Sequence, residues 1–172
     1  NLIDFASNDY LGFARNEEIH HKASVLLQDS KFFNGATGSR LLTGHSDLFE
    51  KTEQQIADYH QAETALMFNS GYDANLGVFS TLPQRGDLVL YDAFSHASIR
   101  DGLALGLAKS VSFRHNDKVD LEKKLRQLSS LHLQIWIVTE AVFSMDGDSP
   151  DWASLAKIAR QFDCRILIDE AH

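Results

Sequence analysis

The sequence alternates short apolar runs with amphipathic stretches of helical period, and this alternation limits the possible folds more than any other feature. The last run, Ile166-Leu167-Ile168, stops abruptly at Asp169 and Glu170. An unbroken β-branched run of this kind is typical of a central parallel strand that is buried on both faces. Strands that alternate with helices predict an α/β fold with a mostly parallel sheet, right-handed crossovers and flanking helices.

Hydrophobic period and turn residues assign the elements along the chain. We predict strands at residues 65–68, 88–91, 111–113, 135–138 and 166–168, and a further short strand early in residues 1–12. Helices are predicted at residues 16–28, 47–60, 72–82 and 97–107, after a cap at Asp117 or Asp120, and from Pro150 to Phe162. Ser46 and Ser149 are the expected N-caps of the second and last helices. The glycine-rich residues 35–44 predict a loop whose backbone comes close to a ligand or to a partner subunit.

Composition narrows the class of protein. The 172 residues are enough for one core. A net charge of −8 disfavours nucleic acid and anionic membranes as main partners, and no apolar run approaches the ~20 residues of a membrane span. The single cysteine, Cys164, excludes an intrachain disulfide and fits a reducing cytoplasm. Because the chain starts at Asn1 without an initiating methionine, we expect a fragment of a longer protein.

Polar residues follow several of the predicted strands. Because the carboxyl ends of parallel strands meet at one edge of a sheet, these residues are expected to converge on one crevice. The polar segments are Ser70-Gly71-Tyr72, Asp92 through His96, Glu140 through Ser144, and Asp169 through His172.

The residue types in this crevice indicate what it binds. Gly71 begins a predicted helix, where exposed N–H groups suit a phosphate, although a plain tight turn explains it equally well. Asp169 can hold a protonated ring nitrogen, or it can be a cap or a salt-bridge partner. His96 and His172 can contact a flat ring, although a single histidine is more often a surface or capping residue. Phosphate, ring nitrogen and flat ring together describe pyridoxal 5′-phosphate (PLP).

Other chemistries have weaker support. The sequence Asp-Glu-Ala-His also occurs in nucleotide-driven helicases, but these need a phosphate-binding loop that is absent here. The segment Gly44-His45-Ser46 lacks the second glycine of a nucleophile elbow. Cys164 lies in a buried strand pattern and is expected to be inert. No cysteine and histidine cluster has zinc spacing, so we expect no metal site.

Taken together, the motifs resemble the α-oxoamine synthases, which are PLP enzymes of fold type I that condense an amino acid with an acyl-CoA. The resemblance covers essentially the whole chain. The matching segments are residues 7–12 (Ser-Asn-Asp-Tyr-Leu-Gly), 38–44 (Gly-Ser-Arg-Leu-Leu-Thr-Gly), 70–75 (Ser-Gly-Tyr-Asp-Ala-Asn), 96–98 (His-Ala-Ser), 115–117 (His-Asn-Asp), 140–148 (Glu-Ala-Val-Phe-Ser-Met-Asp-Gly-Asp) and 169–172 (Asp-Glu-Ala-His). It implies a truncated large domain, with residues 1–45 as an N-terminal segment and glycine-rich loop and residues 46–172 as a partial PLP-binding domain.

The resemblance also implies roles for matching positions. Gly71 and Tyr72 are expected to give backbone N–H groups to the PLP phosphate. His96 is expected to stack on the pyridine ring, and Asp169 to pair with the ring nitrogen and keep it protonated.

Further roles complete the expected site. His172 and Ser144 are expected to hydrogen-bond the phenolic oxygen of PLP, with Glu140 in support. Asn8 and Ser39 are expected on the substrate side, contributed across the interface of a homodimer. The implied catalytic residues are His96, His172 and Asp169.

The residues 39–45 are most similar to the branch of the family that acts in biotin synthesis. The implied reaction joins L-alanine to a pimeloyl thioester, with loss of coenzyme A or a carrier and of CO2, to give 8-amino-7-oxononanoate. Two details depart from the commoner pattern, namely Ala36-Thr37 and Asp151-Trp152. The alternatives are the branches that make 5-aminolevulinate, 2-amino-3-ketobutyrate or sphingolipid precursors, and a catalytically silent subunit.

The family's Schiff-base lysine lies beyond the Asp-Glu-Ala-His motif, and no residue of this sequence follows it. The eight lysines all precede the motif, at positions 22, 31, 51, 109, 118, 123, 124 and 157. We therefore expect this chain by itself to be inactive.

Overall fold

The computed structural model describes residues 6–29 and 35–172. The chain divides into two compact units, residues 1–67 and residues 68–172, and each is described by itself. The sequence suggested a division after residue 45, and the assignment of residues 46–172 to one large domain stays a prediction. The first part of the strand expected within residues 1–12 lies outside the described residues.

The first unit is helical. It contains a short 3-10 turn at Phe13–Arg15 and the helices α1 (Glu17–Asp29) and α2 (Asp47–His60). Ser46 is the N-cap of α2 by position, but its side chain makes no capping hydrogen bond. The strand expected at residues 65–68 is absent, and that prediction is wrong for the described chain. A strand needs a neighbour for its backbone hydrogen bonds, and no described strand pairs with this segment.

The second unit alternates helices and strands, as the sequence predicted. In chain order its elements are α3 (Gly71–Thr81), β1 (Leu88–Asp92), α4 (Ala97–Leu105), β2 (Lys109–Phe113), α5 (Lys118–Leu128), β3 (Ile135–Glu140), α6 (Trp152–Gln161) and β4 (Cys164–Asp169). The predicted helices and these four strands are confirmed, with ends that shift by a few residues.

The four strands form one parallel sheet in the order β2-β1-β3-β4. All six residues of β3 are buried, because it has a strand on each side and helices on both faces. β4 is the edge strand of the described sheet, and its residues are half-buried or exposed. The expectation that Ile166–Ile168 is a central strand buried on both faces is therefore wrong for the described chain, and β3 has that position.

Two apolar cores lie on opposite faces of the sheet. Side chains alternate along β3, so that Ile135 and Ile137 face one core while Trp136 and Val138 face the other. The first core contains residues of α5 and α6, and the second contains residues of α3 and α4. The second unit is thus a three-layer α/β/α arrangement.

Helices α3 and α4 approach each other closely at a glycine. A Cβ atom at Gly102 would lie 2.7 Å from the carbonyl oxygen of Asn75 and 2.9 Å from Cβ of Phe79. These distances are too short for any side chain at this position. Gly102 therefore sets the spacing of the two helices that carry much of the polar edge described below.

Helix caps differ in detail from the sequence predictions. Asp117, rather than Asp120, caps α5 by accepting hydrogen bonds from the N–H groups of Val119 and Asp120, each at 2.9 Å. Helix α6 begins at Trp152, and its N-cap is Asp151 instead of Ser149. A carboxylate at this position accepts an orphan N–H group and faces the positive end of the helix dipole, which favours it over serine.

No helix within the described ranges is long and apolar enough to cross a membrane.

The burial of β3 leads to a stability prediction. Ile137 is fully buried between two neighbouring strands, so Ile137→Ala should lower the free energy of unfolding by about 2–5 kcal/mol. Urea unfolding followed by the fluorescence of Trp136 and Trp152 measures this loss. Leu131→Ala is the control, since Leu131 is 70% exposed and its truncation should change stability by less than about 0.5 kcal/mol. Equal effects would contradict the placement of β3 at the centre of the core.

Candidate active site

The carboxyl ends of β1, β3 and β4 carry acidic residues, as the sequence predicted. Asp92, Glu140 and Asp169 are the last residues of these strands. Glu140 lies opposite Asp169 in the register of β3 and β4. The Ala141 N–H donates to the main-chain oxygen of Asp169 at 2.7 Å and continues the pairing past the strand end. Parallel pairing therefore brings these carboxylates to one edge of the sheet.

Glu140 is almost completely buried, with 5% of its surface exposed. Its Oε1 accepts the backbone N–H of His96 at 2.5 Å, which fixes the start of α4 against β3. Burial raises the pKa of the Glu140 carboxyl, and the neighbouring charge of Asp169 adds to this. The His96 N–H and the nearby His172 lower the same pKa without cancelling the effect of burial. Glu140 is thus an acid that the fold holds at some cost in stability.

Asp169 is held by two donors. Its Oδ2 accepts the side-chain N–H of Asn75 at 2.7 Å, and its Oδ1 accepts the N–H of Ala171 at 2.9 Å. The same Asn75 Nδ2 lies 2.9 Å from Oγ of Ser98. Since each carboxylate oxygen has two lone pairs, Asp169 can still accept a further N–H donor.

His96 is connected to this network through Ser98. Nδ1 of His96 lies 2.7 Å from Oγ of Ser98, and the ring is exposed. The Tyr72 ring meets it edge-on, with centroids 6.4 Å apart, while the Tyr72 hydroxyl donates to Asp101. This hydrogen bond raises the pKa of the Tyr72 hydroxyl. The contacts with Ser98 and Tyr72 therefore orient the His96 ring, and the ring stays accessible.

The amino end of α3 offers free backbone donors. Oγ of Ser70 accepts the N–H of Asp73 at 3.0 Å, and the N–H of Ala74 bonds to the Ser70 carbonyl at 3.0 Å. The described structure gives no acceptor to the N–H groups of Gly71 and Tyr72. A Cβ atom at Gly71 would meet nothing within 4 Å. Open space therefore lies beside Gly71 at a helix N-terminus, where backbone donors favour an anion.

The other predicted site residues are His172, Ser144, Asn8 and Ser39. His172 lies close enough to Glu140 to lower its pKa. Ser144 is exposed in the loop between β3 and α6, and the described structure gives its side chain no contact with the other candidates. Asn8 and Ser39 belong to the first unit. All assigned roles stay predictions at this point.

The glycine-rich loop that carries Ser39 closes on its own backbone. A Cβ atom at Gly44 would lie 1.9 Å from the carbonyl oxygen of Gly38, so the small residues serve this contact within the loop.

Arg40 is anchored to α2 by two hydrogen bonds to Glu53, at 2.7 and 2.8 Å. The hydrogen bonds from Arg40, together with the one from the Met67 N–H, lower the pKa of the Glu53 carboxyl to about 2.

Sequence reasoning missed the roles of Asn75 and Ser98. Both were noted only as parts of matching motifs, whereas the structure places them between Asp169 and His96. One signal was available, because Asn75 lies one helical turn after Gly71 and so shares its face of α3.

Cys164 is half-buried, and burial raises the pKa of its thiol to about 11, which fits the inert role expected for it.

Comparisons with known proteins agree with this geometry. Residues 1–172 match the family of class I and class II aminotransferases, so the chain belongs to this PLP-dependent family. The chain is 45% identical over 168 residues to 8-amino-7-oxononanoate synthase from Lysinibacillus sphaericus, covering 98% of this chain and 42% of that protein. The family assignment removes the helicase alternative.

Solved structures give the same result. A serine palmitoyltransferase from S. paucimobilis with a bound PLP–myriocin aldimine superposes with a TM-score of 0.89 at 37% identity, covering 96% of this chain and 41% of that one. The 8-amino-7-oxononanoate synthase from Francisella tularensis superposes with a TM-score of 0.76 at 29% identity, covering 100% and 46%. These similarities confirm the resemblance to α-oxoamine synthases and the fold-type-I architecture. The chain spans less than half the length of the relatives it matches.

Buried Glu140 leads to a pH prediction. A carboxyl whose pKa is raised in the folded state destabilises the fold as pH rises from the unfolded value through the folded one. Glu140→Gln keeps the acceptor for the His96 N–H and removes the charge, so the variant should melt at a higher temperature than the wild type at pH 7. The difference should become small near pH 4, where Glu140 is mostly protonated in both states of the wild type.

Melting temperatures measured from pH 4 to pH 8 check this expectation. Glu170→Gln is the matched control, because Glu170 is exposed and its neutralisation should give a small and nearly constant difference. A wild type more stable than Glu140→Gln at pH 7 would contradict the assigned burial cost.

Proposed function

We propose that this chain is part of an α-oxoamine synthase that binds PLP at the polar edge of the second unit. The observation that carries the proposal is the network that joins Asp169, Asn75, Ser98 and His96 beside the open N-terminus of α3. The residues fit the cofactor, since the two free N–H groups suit a phosphate and Asp169 retains capacity for another donor.

Each residue then has a definite task. The N–H groups of Gly71 and Tyr72 hold the phosphate, and Asp169 accepts the N–H of the pyridine nitrogen in a charge-assisted hydrogen bond. Asn75 keeps the Asp169 carboxylate oriented through its 2.7 Å bond. His96 covers the flat face of the ring. PLP, when bound, supplies an electron sink for the negative charge that develops at the α-carbon of the amino acid.

The remaining candidates complete the proposed site. Ser144 and His172 donate to the phenolic oxygen of the cofactor, and buried Glu140 holds the His96 backbone in position. Asn8 and Ser39 lie on the substrate side, contributed by the partner subunit of a homodimer in the cytoplasm.

For the reaction we propose condensation of L-alanine with a pimeloyl thioester, with loss of CO2 and of coenzyme A or a carrier, to give 8-amino-7-oxononanoate in biotin synthesis. The 45% identity to 8-amino-7-oxononanoate synthase supports this choice. The structural similarity to serine palmitoyltransferase favours a second candidate, condensation of L-serine with palmitoyl-CoA. Thiol release by a complete protein that carries this chain, assayed with each substrate pair, separates the two. Activity with neither pair would contradict both.

A first test concerns the phosphate donors and uses the chain itself. Gly71→Pro removes one N–H at the first helical position, where proline is well tolerated, and the extended Ser70 before it suits a following proline. PLP affinity measured by equilibrium dialysis should fall about tenfold or more, the usual effect of losing a hydrogen bond to a charged group.

Gly71→Ala is the matched control. It keeps the N–H, and its Cβ meets nothing within 4 Å, so affinity should stay within about twofold of the wild type. Equal affinity of the proline variant and the wild type would exclude this helix N-terminus as the phosphate site.

A second test concerns Asp169 and needs the complete protein. Asp169→Asn should lower the turnover rate by on the order of 10²-fold, because the ring nitrogen loses its charged partner, while bound PLP is retained. Asp163→Asn makes the same chemical change before the opposite end of β4, at a positive φ of 51° that asparagine accepts. It should leave turnover unchanged. Near-normal turnover of Asp169→Asn would refute the role.

A further inference from the structure

His115, two residues after β2, lies between two carboxylates. Its Nδ1 is 2.9 Å from Oδ1 of Asp92, and its Nε2 is 3.0 Å from Oδ2 of Asp148. Asp92 is fully buried at the end of β1. Asp148 belongs to residues 141–151 between β3 and α6, which also contain Ser144 and are called the Ser144 loop below. The imidazole therefore connects the end of β1 to the Ser144 loop.

The chemistry of the two partners determines the protonation of the ring. A carboxylate only accepts hydrogen bonds, so both contacts are hydrogen bonds when each ring nitrogen donates, which is the imidazolium form. The side-chain nitrogen of Asn116 lies 3.4 Å from Nε2, which is longer than the 3.0 Å contact with Asp148. Burial of the ring lowers the pKa of His115, but the hydrogen bonds and charges of Asp92 and Asp148 outweigh this and raise the pKa above its ordinary value. The geometry and the charges thus agree on a ring that carries both protons.

Aromatic contacts hold the ring in this position. Phe94 stacks on it with centroids 4.2 Å apart, and Phe143 meets it edge-on at 4.5 Å. Phe94 precedes His96 by two residues, and Phe143 directly precedes Ser144. His115 therefore contacts both segments that lead to proposed cofactor contacts.

The remaining neighbours add donors and negative charge. Asn116 donates its backbone N–H to Asp92 at 2.9 Å and its side-chain N–H to Asp148 at 2.6 Å. An oxygen of Asp146 lies within 4.8 Å of the ring nitrogen and of the Asp148 carboxylate. The charged groups that face the ring are thus Asp92 from β1 and Asp146 and Asp148 from the Ser144 loop. We assign no metal to this cluster, because the Asp148 oxygen nearest the ring already accepts two N–H donors.

We propose that His115 is a positioning residue whose imidazolium bridges Asp92 and Asp148 and thereby holds the Ser144 loop in its cofactor-facing arrangement. The inference deepens the proposed function and rests on it for the role of Ser144. Loss of one ring proton removes the hydrogen bond from His115 to one of the two carboxylates, which then keeps only its other donors. It also leaves the negative charges of Asp92, Asp146 and Asp148 near a neutral ring. The Ser144 loop is then released as pH rises through the pKa of His115.

Two backbone hydrogen bonds report on the loop without any cofactor. The Phe143 N–H donates to the Asp148 carbonyl at 2.9 Å, and the Gly147 N–H donates to the Phe143 carbonyl at 2.7 Å. Amide hydrogen exchange at these two positions, expressed as protection factors that remove the intrinsic pH dependence, measures loop opening. Between about pH 6 and pH 10, wild-type protection should fall about tenfold or more, the usual effect of losing a hydrogen bond to a charged group.

Three variants test the cause of this step. Asp148→Asn lets a neutral His115 satisfy both sides, since Nδ1–H still donates to Asp92 while Nε2 accepts the new amide N–H. Protection in this variant should no longer depend on pH. His115→Gln should give low protection at every pH. Asp146→Asn is the matched control, because it removes a loop charge without a described hydrogen bond to His115, and its pH step should persist.

The outcomes separate this inference from the proposed function. A flat wild-type profile, or a pH step that persists in Asp148→Asn, would overturn the role of His115. PLP affinity measured by dialysis over the same pH range should weaken in parallel with loop opening in the wild type and stay constant in Asp148→Asn. If the protection step is present but PLP binds at no pH, the proposed function fails while the imidazolium bridge stands.

Discussion

The hydrogen bond from the His96 N–H to buried Glu140 is the interaction on which the candidate site depends. It joins the loop after β1 to the end of β3 across 44 residues of sequence. Because Glu140 is also in register with Asp169, one buried carboxylate fixes the relative positions of His96, the histidine proposed to stack on the cofactor ring, and of the acid proposed for the ring nitrogen. Burial disfavours the charged form of Glu140, so we expect a neutral acceptor at this position to serve the fold better.

The sheet makes this arrangement rigid. Apolar side chains of β3 enter both cores, so the strand that carries Glu140 is packed from both faces. The polar residues begin only where the paired strands end, and the backbone donors of α3 lie beside them because Asn75 bonds to Asp169. A site built on strand ends and helix ends in this way keeps its geometry without a ligand, which is the condition for preorganised electrostatics.

The sequence predicted the strands of the second unit and their polar ends because both are local patterns. Period and apolar runs identify β1 and β3, and the family motifs identify Asp169 and His96. The position of β4 at the sheet edge and the missing strand at residues 65–68 depend on pairing partners that no local pattern reveals. The role of Asn75 likewise depends on a contact across 94 residues of sequence. Local physics thus predicts elements, while the contacts between them decide the site.

The loop between β1 and α4 is held from both sides by buried acids. Phe94 donates its N–H to Asp92 at 2.8 Å, and His96 donates its N–H to Glu140. Asp92 in turn accepts His115, whose other nitrogen reaches Asp148. A charge change at Asp148 can therefore reach the backbone near His96 through three hydrogen bonds, which His115 donates to Asp148 and to Asp92 and the Phe94 N–H donates to Asp92. The stacking of Phe94 on the His115 ring is a second route. The two segments that face the proposed cofactor are coupled through His115, so neither is positioned independently of the other.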